Sequence, residues 1–392
     1  MNYRLDRNGE KVSLLGFGCM RFTRKGSAID IDKALKEVKL AIDNGVNYFD
    51  TAYTYPGSEA ALGEILEKLG CRKDIKIATK LPQYLVKTSA QIDKYFNEEL
   101  TRLKTDYIDY YLMHLITDIA AWEKLVRLGI IDWIKEKKEA GQIKNIGFSF
   151  HGDSENFIKV LDAYDWDFCQ IQYNYMDENT QAGRRGLNHA YEKGIPVIIM
   201  EPLRGGRLVN LLPDSAKKLI SEHEKGYSAA EWAFRWLMEQ EAVTCVLSGM
   251  NTEEMVMENV RIASEVQASE FSEADHEFIE NIKAEIAKVV KVPCTGCNYC
   301  MPCPNHVDIP GTFICYNAMY SESKMAGISD YIRVTAFNKT RRDVSQCIEC
   351  GKCELHCPQN IKIREQLKIA DKELRPWYIK LVGAVMRLIK FW

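Results

Sequence analysis

Eight of the thirteen cysteines stand in two short runs near the C-terminus: Cys294, Cys297, Cys300 and Cys303, then Cys347, Cys350, Cys353 and Cys357. In each run two residues separate the first three cysteines, so one turn of chain can bring three thiolates onto an inorganic cubane without long side chains. The fourth cysteine precedes a proline, and a thiolate in that place typically leaves its own run to ligate the other cluster. The second run has the full three-residue gap before Cys357. The first is one residue short before Cys303, which leaves Cys315, between the runs, as a spare ligand. Four thiolates also suit tetrahedral zinc. The pairing of two runs, each closed by Cys-Pro, favours two 4Fe-4S clusters. Cys19, Cys71, Cys169 and Cys245 are scattered and look unpaired, which speaks against a disulfide framework and for a reducing compartment.

A second set of reactive groups takes shape only when the elements that carry it are drawn. Short apolar runs cover 14–18, 46–50, 75–79, 107–113, 143–149, 168–171, 197–200 and 243–247. Helical patterns cover 32–44, 58–69, 91–103, 122–140, 153–163, 180–192, 229–239 and 252–263. Strand-helix units in succession predict parallel pairing and right-handed crossovers, and eight of them close a (β/α)8 TIM barrel. Residues 2–13 read as a hairpin plugging the barrel floor. The alternative, an open doubly wound sheet, lacks its G-x-G-x-x-G turn. Such barrels carry catalytic groups at strand C-termini, which here are Asp50, Lys80 and His114, with Tyr55 in the loop beyond Asp50. A phenol ionises near pH ~10, and a close ammonium lowers that value. Lys80 would thus tune Tyr55 as proton donor to a growing alkoxide, Asp50 would hold Lys80, and His114 would polarise a substrate oxygen.

The motifs are specific. Asp50-Thr-Ala-Tyr-Thr-Tyr55 with Glu59 and Leu62-Gly63, Ala78-Thr-Lys80-Leu-Pro82, Asp109-Tyr-Tyr-Leu-Met-His114, Leu15-Gly-Phe-Gly18-Cys-Met-Arg21 and Ile146-Gly-Phe-Ser149-Phe-His151 resemble the aldo-keto reductase signatures. Together with the cysteine runs, residues 1 to about 365 resemble the subfamily with a C-terminal ferredoxin-type domain. The resemblance implies an NAD(P)H-dependent oxidoreductase acting on an aldehyde, a ketone or the matching alcohol. It places cofactor contacts at Gly18, Cys19, Met20, Asp50, Ser149, Gln170, Met200, Glu201, Pro202, Leu203, Gly205, Gly249, Met250, Glu258 and Asn259. Ser149 and Gln170 would hold the nicotinamide carboxamide, although Phe150 stands where an asparagine is usual. Met200 takes the stacking position, and Glu258 with Asn259 the adenine contacts. Gly249, Met250 and Met255 replace the basic residues that clasp a 2′-phosphate, which favours NADH over NADPH or weak binding of either. His151 either approaches the nicotinamide or lies on a loop surface.

These readings divide the chain into a barrel (1–270), a connecting helix (271–292), a mainly α-helical ferredoxin-like domain binding both clusters (293–370) and an amphipathic C-terminal helix (371–392). The long gap 304–346, helical over 313–325, suggests clusters held among helices. The segment from Trp377 to Trp392 confines its polar or small positions to Lys380, Gly383, Arg387 and Lys390, one narrow stripe on a helix. It docks on the barrel or a second subunit, or lies on a membrane surface; it is too short to span a bilayer. Net charge is -3, with no basic run, so nothing argues for a nucleic-acid partner. The charged N-terminus is no signal peptide, which predicts a cytoplasmic protein. A hydride carries two electrons and a cluster accepts one, the usual intermediary being a flavin. No flavin motif is visible, so a flavin stays open, as do a redox partner protein and a purely structural role for the clusters. The competing reading is an electron-transfer protein whose barrel serves as a docking or nucleotide-sensing module.

Overall fold

The computed structural model describes residues 1–392 except 153, 180, 297, 298, 322, 337–341, 358 and 377–392, and only the backbone of 333–336. Cys297 and the segment from Trp377 to Trp392 therefore lie outside the described residues.

Runs rich in β-branched and aromatic residues form eight strands: β1 (Leu15–Gly18), β2 (Tyr48–Asp50), β3 (Lys76–Leu81), β4 (Ile108–Ile116), β5 (Ile143–Phe150), β6 (Phe168–Gln172), β7 (Val197–Met200) and β8 (Cys245–Ser248). All pair in parallel, each with its sequence neighbours, and β8 returns to β1 to close the barrel. The strands read as continuous apolar runs because helices cover the outside while side chains fill the inside. Tyr48, Tyr110, Phe168, Ile198 and Leu247 share one buried cluster with Val12 from the N-terminal hairpin (Tyr3–Leu5 with Lys11–Ser13). That hairpin is the expected floor plug. Gly63 is needed where helix Ser58–Leu69 meets helix Ser89–Leu103, since a Cβ there would collide with the Arg102 carbonyl.

The helix expected over 122–140 is two, Ile119–Arg127 and Ile130–Glu139, because Gly129 turns left-handed (φ +83°) between them. The helix expected from 180 starts at Gly183. A small hairpin, Arg24–Lys25 with Ala28–Ile29, was not anticipated; it turns at Gly26 (φ +66°).

By packing, the chain forms two units: Met1–Pro202 with Glu231–Ser272, and Leu203–Ala230 with Glu273–Trp392. The second unit is mainly helical. Residues 273–289 form one helix, Glu273–Val289, and the helical stretch expected over 313–325 is two helices, Ile309–Ser321 and Lys324–Ala336. Val292, Phe313, Tyr316, Tyr331, Leu367 and Leu374 form its core, with Cys294, Cys300, Cys303, Cys347, Cys353 and Cys357 packed against that core. Among the described residues no helix is long and apolar enough to cross a membrane.

Candidate active site and cluster-binding region

β2, β3 and β4 bring three of the four reactive groups together. Lys80, 1% exposed, gives its three N–H donors to Asp50 Oδ1, Asp50 Oδ2 and the Thr51 carbonyl, each at 2.7 Å. Gln170 Nε2 donates to Asp50 Oδ2 at 2.9 Å, so the carboxylate is held from two sides. The Lys80 ammonium lies 5.2 Å from the centre of the Tyr55 ring, and the Tyr55 and His114 rings stand edge to face at 6.1 Å. The Tyr84 ring is also near, tilted against His114 at 6.3 Å.

The expectation that Lys80 draws the Tyr55 phenol down needs correction. Its proton is held more tightly than in water, first through burial and then through the negative charge of Asp50. The ammonium has no N–H left for the phenol, and its charge is balanced by Asp50. Burial also keeps His114 neutral, with Lys80 and His151 adding to the effect, and its Nδ1 has no hydrogen-bond partner in the site. His151 is buried rather than on a loop surface, its pKa pushed down to about 3 by burial.

β4 is irregular at its functional end. Its register to β5 slips between Met113 and Ile116, and Leu115 stands at φ +62°, a bulge directly after His114. The Leu115 N–H donates to Ser149 Oγ at 2.9 Å, and Gln83 Nε2 donates to the Leu115 carbonyl at 3.1 Å. Neither Gln83 nor the bulge is signalled in the sequence.

The groups left over suit a primary carboxamide. Ser149 accepts from Leu115, which frees its O–H to donate, and Gln170 gives its amide N–H to Asp50, which leaves its carbonyl to accept. Gly18 and Gly249 are close-packed: a Cβ on Gly18 would sit 3.3 Å from the Ser248 carbonyl, and one on Gly249 would sit 3.0 Å from Arg21 Cδ. Arg21 thus sets a basic residue beside this loop although it lies just beyond the end of β1 in the sequence. Asn259 is buried and donates to Ser248 Oγ at 2.9 Å, while Glu258 is half-buried. Met250 and Cys19 are buried and Met20 is exposed. Met200 ends β7, Glu201 follows at φ +55°, and Pro202 is buried. Leu203 and Gly205 belong to the second unit by packing.

In the second unit Cys300, Cys303, Cys347, Cys350 and Cys353 line one cavity of about 300 Å³. Asn305 Nδ2 donates to the Gln346 carbonyl at 3.0 Å, tying the end of one run to the start of the other. Asn317 fixes the approach to the first run: it accepts from the Lys291 and Val292 N–H groups at 3.0 Å each and donates to the Val292 carbonyl at 2.7 Å. Arg207 donates to the Cys294 carbonyl. Among the described residues no three metal-binding side chains converge on a single ion. A cavity lined by thiols from both runs suits a cluster better than one zinc ion, whose ligands crowd within ~2.3 Å of the metal. Cys315 is buried in helix Ile309–Ser321, its thiol pushed up to about 12 by burial, and it does not line that cavity.

Comparison with known proteins agrees with both halves. The aldo/keto reductase family model matches residues 14–283, and a 4Fe-4S dicluster domain model matches 293–361. L-galactose dehydrogenase of Arabidopsis thaliana is 27% identical over 305 residues, covering 73% of this chain and 94% of its own. The holo form of an aldo-keto reductase from Bacillus halodurans superimposes with a TM-score of 0.60 at 25% identity, over 72% of this chain and 96% of that one. An aldo/keto reductase from Klebsiella pneumoniae, solved in complex with NADP and acetate, shares the fold with a TM-score of 0.58 at 21% identity, over 71% and 94%. The chain belongs to the aldo/keto reductase family of oxidoreductases and carries a C-terminal 4Fe-4S dicluster domain.

Proposed function

We propose that the protein is an NAD(P)H-dependent carbonyl reductase in which Tyr55 is the proton donor. The observation that carries this reading is the Asp50–Lys80 pair, buried and fully hydrogen-bonded, beside Tyr55 and the neutral His114. A bound nicotinamide supplies a hydride to the carbonyl carbon. His114 orients the carbonyl oxygen, and the Tyr55 hydroxyl gives that oxygen its proton as negative charge grows there. The tightly held phenolic proton keeps Tyr55 in its donor form at physiological pH, and an alkoxide is a strong enough base to take it. Lys80 then faces the phenolate. Ser149 and Gln170 would hold the carboxamide. The loop at Gly249 and Met250 would meet the cofactor phosphates, where the nearby Arg21 weakens the case for NADH over NADPH. Replacing Tyr55 by Phe is expected to lower kcat for carbonyl reduction by at least about a hundredfold, the scale of general acid catalysis, without changing dinucleotide affinity. Full turnover by that variant removes the acid role.

For the clusters, the reading assigns Cys294, Cys297 and Cys300 with Cys357 to one, and Cys347, Cys350 and Cys353 with Cys303 to the other. Cys303 lines one cavity with Cys347, Cys350 and Cys353, as the second set requires; Cys300 lines it too, so the cavity brings the two runs together without dividing their cysteines between the clusters. Cys350 is exposed, which supports one-electron exchange with a partner protein. Anaerobic purification with iron, sulfide and flavin analysis tests the assignment, and stoichiometric flavin would redirect it.

A further inference from the structure

The bulge after His114 is a strained feature with two visible supports. Leu115 at φ +62° adopts a left-handed conformation that side chains with a Cβ resist, and such outliers persist only where surroundings hold them. Here the residue's N–H is taken by Ser149 Oγ and its carbonyl by Gln83 Nε2. Gln83 is itself fixed: it is buried in the turn Gln83–Leu85 just beyond β3, and its own carbonyl accepts from Lys124 Nζ at 3.1 Å. In a regular strand, alternation fixes where successive side chains point, so a single-residue bulge re-aims the side chain beside it. His114 has no hydrogen-bond partner on Nδ1, so its aim rests on the backbone that carries it and on the neighbouring Tyr55 and Tyr84 rings.

We propose that Gln83 is a positioning residue of the carbonyl-reducing site: by clamping the Leu115 carbonyl it holds the bulge that aims His114 at the substrate oxygen. The inference rests on the reductase reading above. Gln83→Glu keeps the side chain's size but removes the N–H donor, since a carboxylate only accepts. Misaiming a catalytic group by about an ångström lowers rates on the order of a hundredfold, so kcat for the Gln83→Glu variant is expected to fall ten- to a hundredfold with dinucleotide affinity unchanged. A second substitution, Leu115→Gly, removes the strain, because glycine takes positive φ freely. Added to Gln83→Glu it is expected to recover most of the lost kcat, which a general loss of packing would not allow. The His114 imidazole ¹⁵N resonances give a readout independent of turnover and are expected to shift in Gln83→Glu and return in the double variant. Unchanged His114 resonances in folded Gln83→Glu protein overturn the inference, whether or not the protein reduces carbonyls. Shifted resonances with no carbonyl reduction even in the native protein would instead sink the reductase reading and leave the clamp standing.

Discussion

The two chemical regions of this molecule are prepared in opposite ways. In the barrel the charged groups already answer one another: Lys80 spends every N–H on Asp50 and Thr51, and Gln170 braces the same carboxylate. In the cluster region the reactive groups face a cavity of about 300 Å³, and one of them, Cys350, is exposed. The barrel site is set by protein–protein hydrogen bonds on strands that hold each other in register. The cysteines cap a small core and look to a group outside the polypeptide to connect them. The first region should thus outlast its cofactor, while the second should not outlast its clusters.

The largest test of that contrast is removal of iron. Where a metal group organises a small core, its binding free energy is folding free energy, on the order of 10 kcal/mol in structural metal sites. Chelation under anaerobic conditions is expected to abolish hydrogen-exchange protection of helices Ile309–Ser321 and Ile363–Leu374 while strands β1 to β8 keep theirs. Protection that persists in both regions would erase the difference between them.

Next is the barrel's buried pair. Replacing Lys80 by Met leaves Asp50 charged and uncompensated, which costs about 3–5 kcal/mol of stability in chemical denaturation. The cluster absorbance is expected to be unaffected.

The smallest test concerns a barrel group that breaks the rule of answered charges. Glu37, on helix Ile31–Asp43, is buried with no hydrogen bond to either carboxylate oxygen, and Lys33 approaches only to 3.9 Å. Burial raises its pKa to about 7. The unfolded chain ionises this carboxyl near pH ~4.5 and the folded chain only near 7, so over that window the folded state binds the extra proton. Stability therefore falls as pH rises through the window, and the penalty is complete above it. Glu37→Gln is expected to gain roughly 1–3 kcal/mol at pH ~8 over native protein and little at pH ~4, by urea unfolding at both. Equal effects at both would mean that the carboxylate finds a partner in solution.

What could be read in advance follows the same division. Strands β1 to β8 were legible because strands buried on both faces must be continuously apolar, and the run 197–200 coincides with β7. The cysteine runs were legible because cluster ligation fixes spacing. Three things were hidden. A bulge at Leu115 adds no polar residue to an apolar run, so β4 looks regular in sequence. The phenol of Tyr55 has a lysine as neighbour in either description, but only the folded site shows that Asp50 balances it and that burial dominates. Arg21 beside Gly249 joins the ends of β1 and β8, neighbours only through barrel closure.

The chain enters the second unit at Leu203, returns to the barrel at Glu231, and leaves again at Glu273. Helix Asp214–Glu222 packs on helix Glu273–Val289, the His223 and Phe278 rings meet at 4.1 Å, and Lys225 pairs with Asp275. Stopping translation after Ser272 would strand the excursion between β7 and β8, baring the face of Ala216 and Ile220 to water. A shortened barrel made that way invites aggregation, and separating the halves cleanly requires replacing the excursion with a short linker as well as trimming the tail.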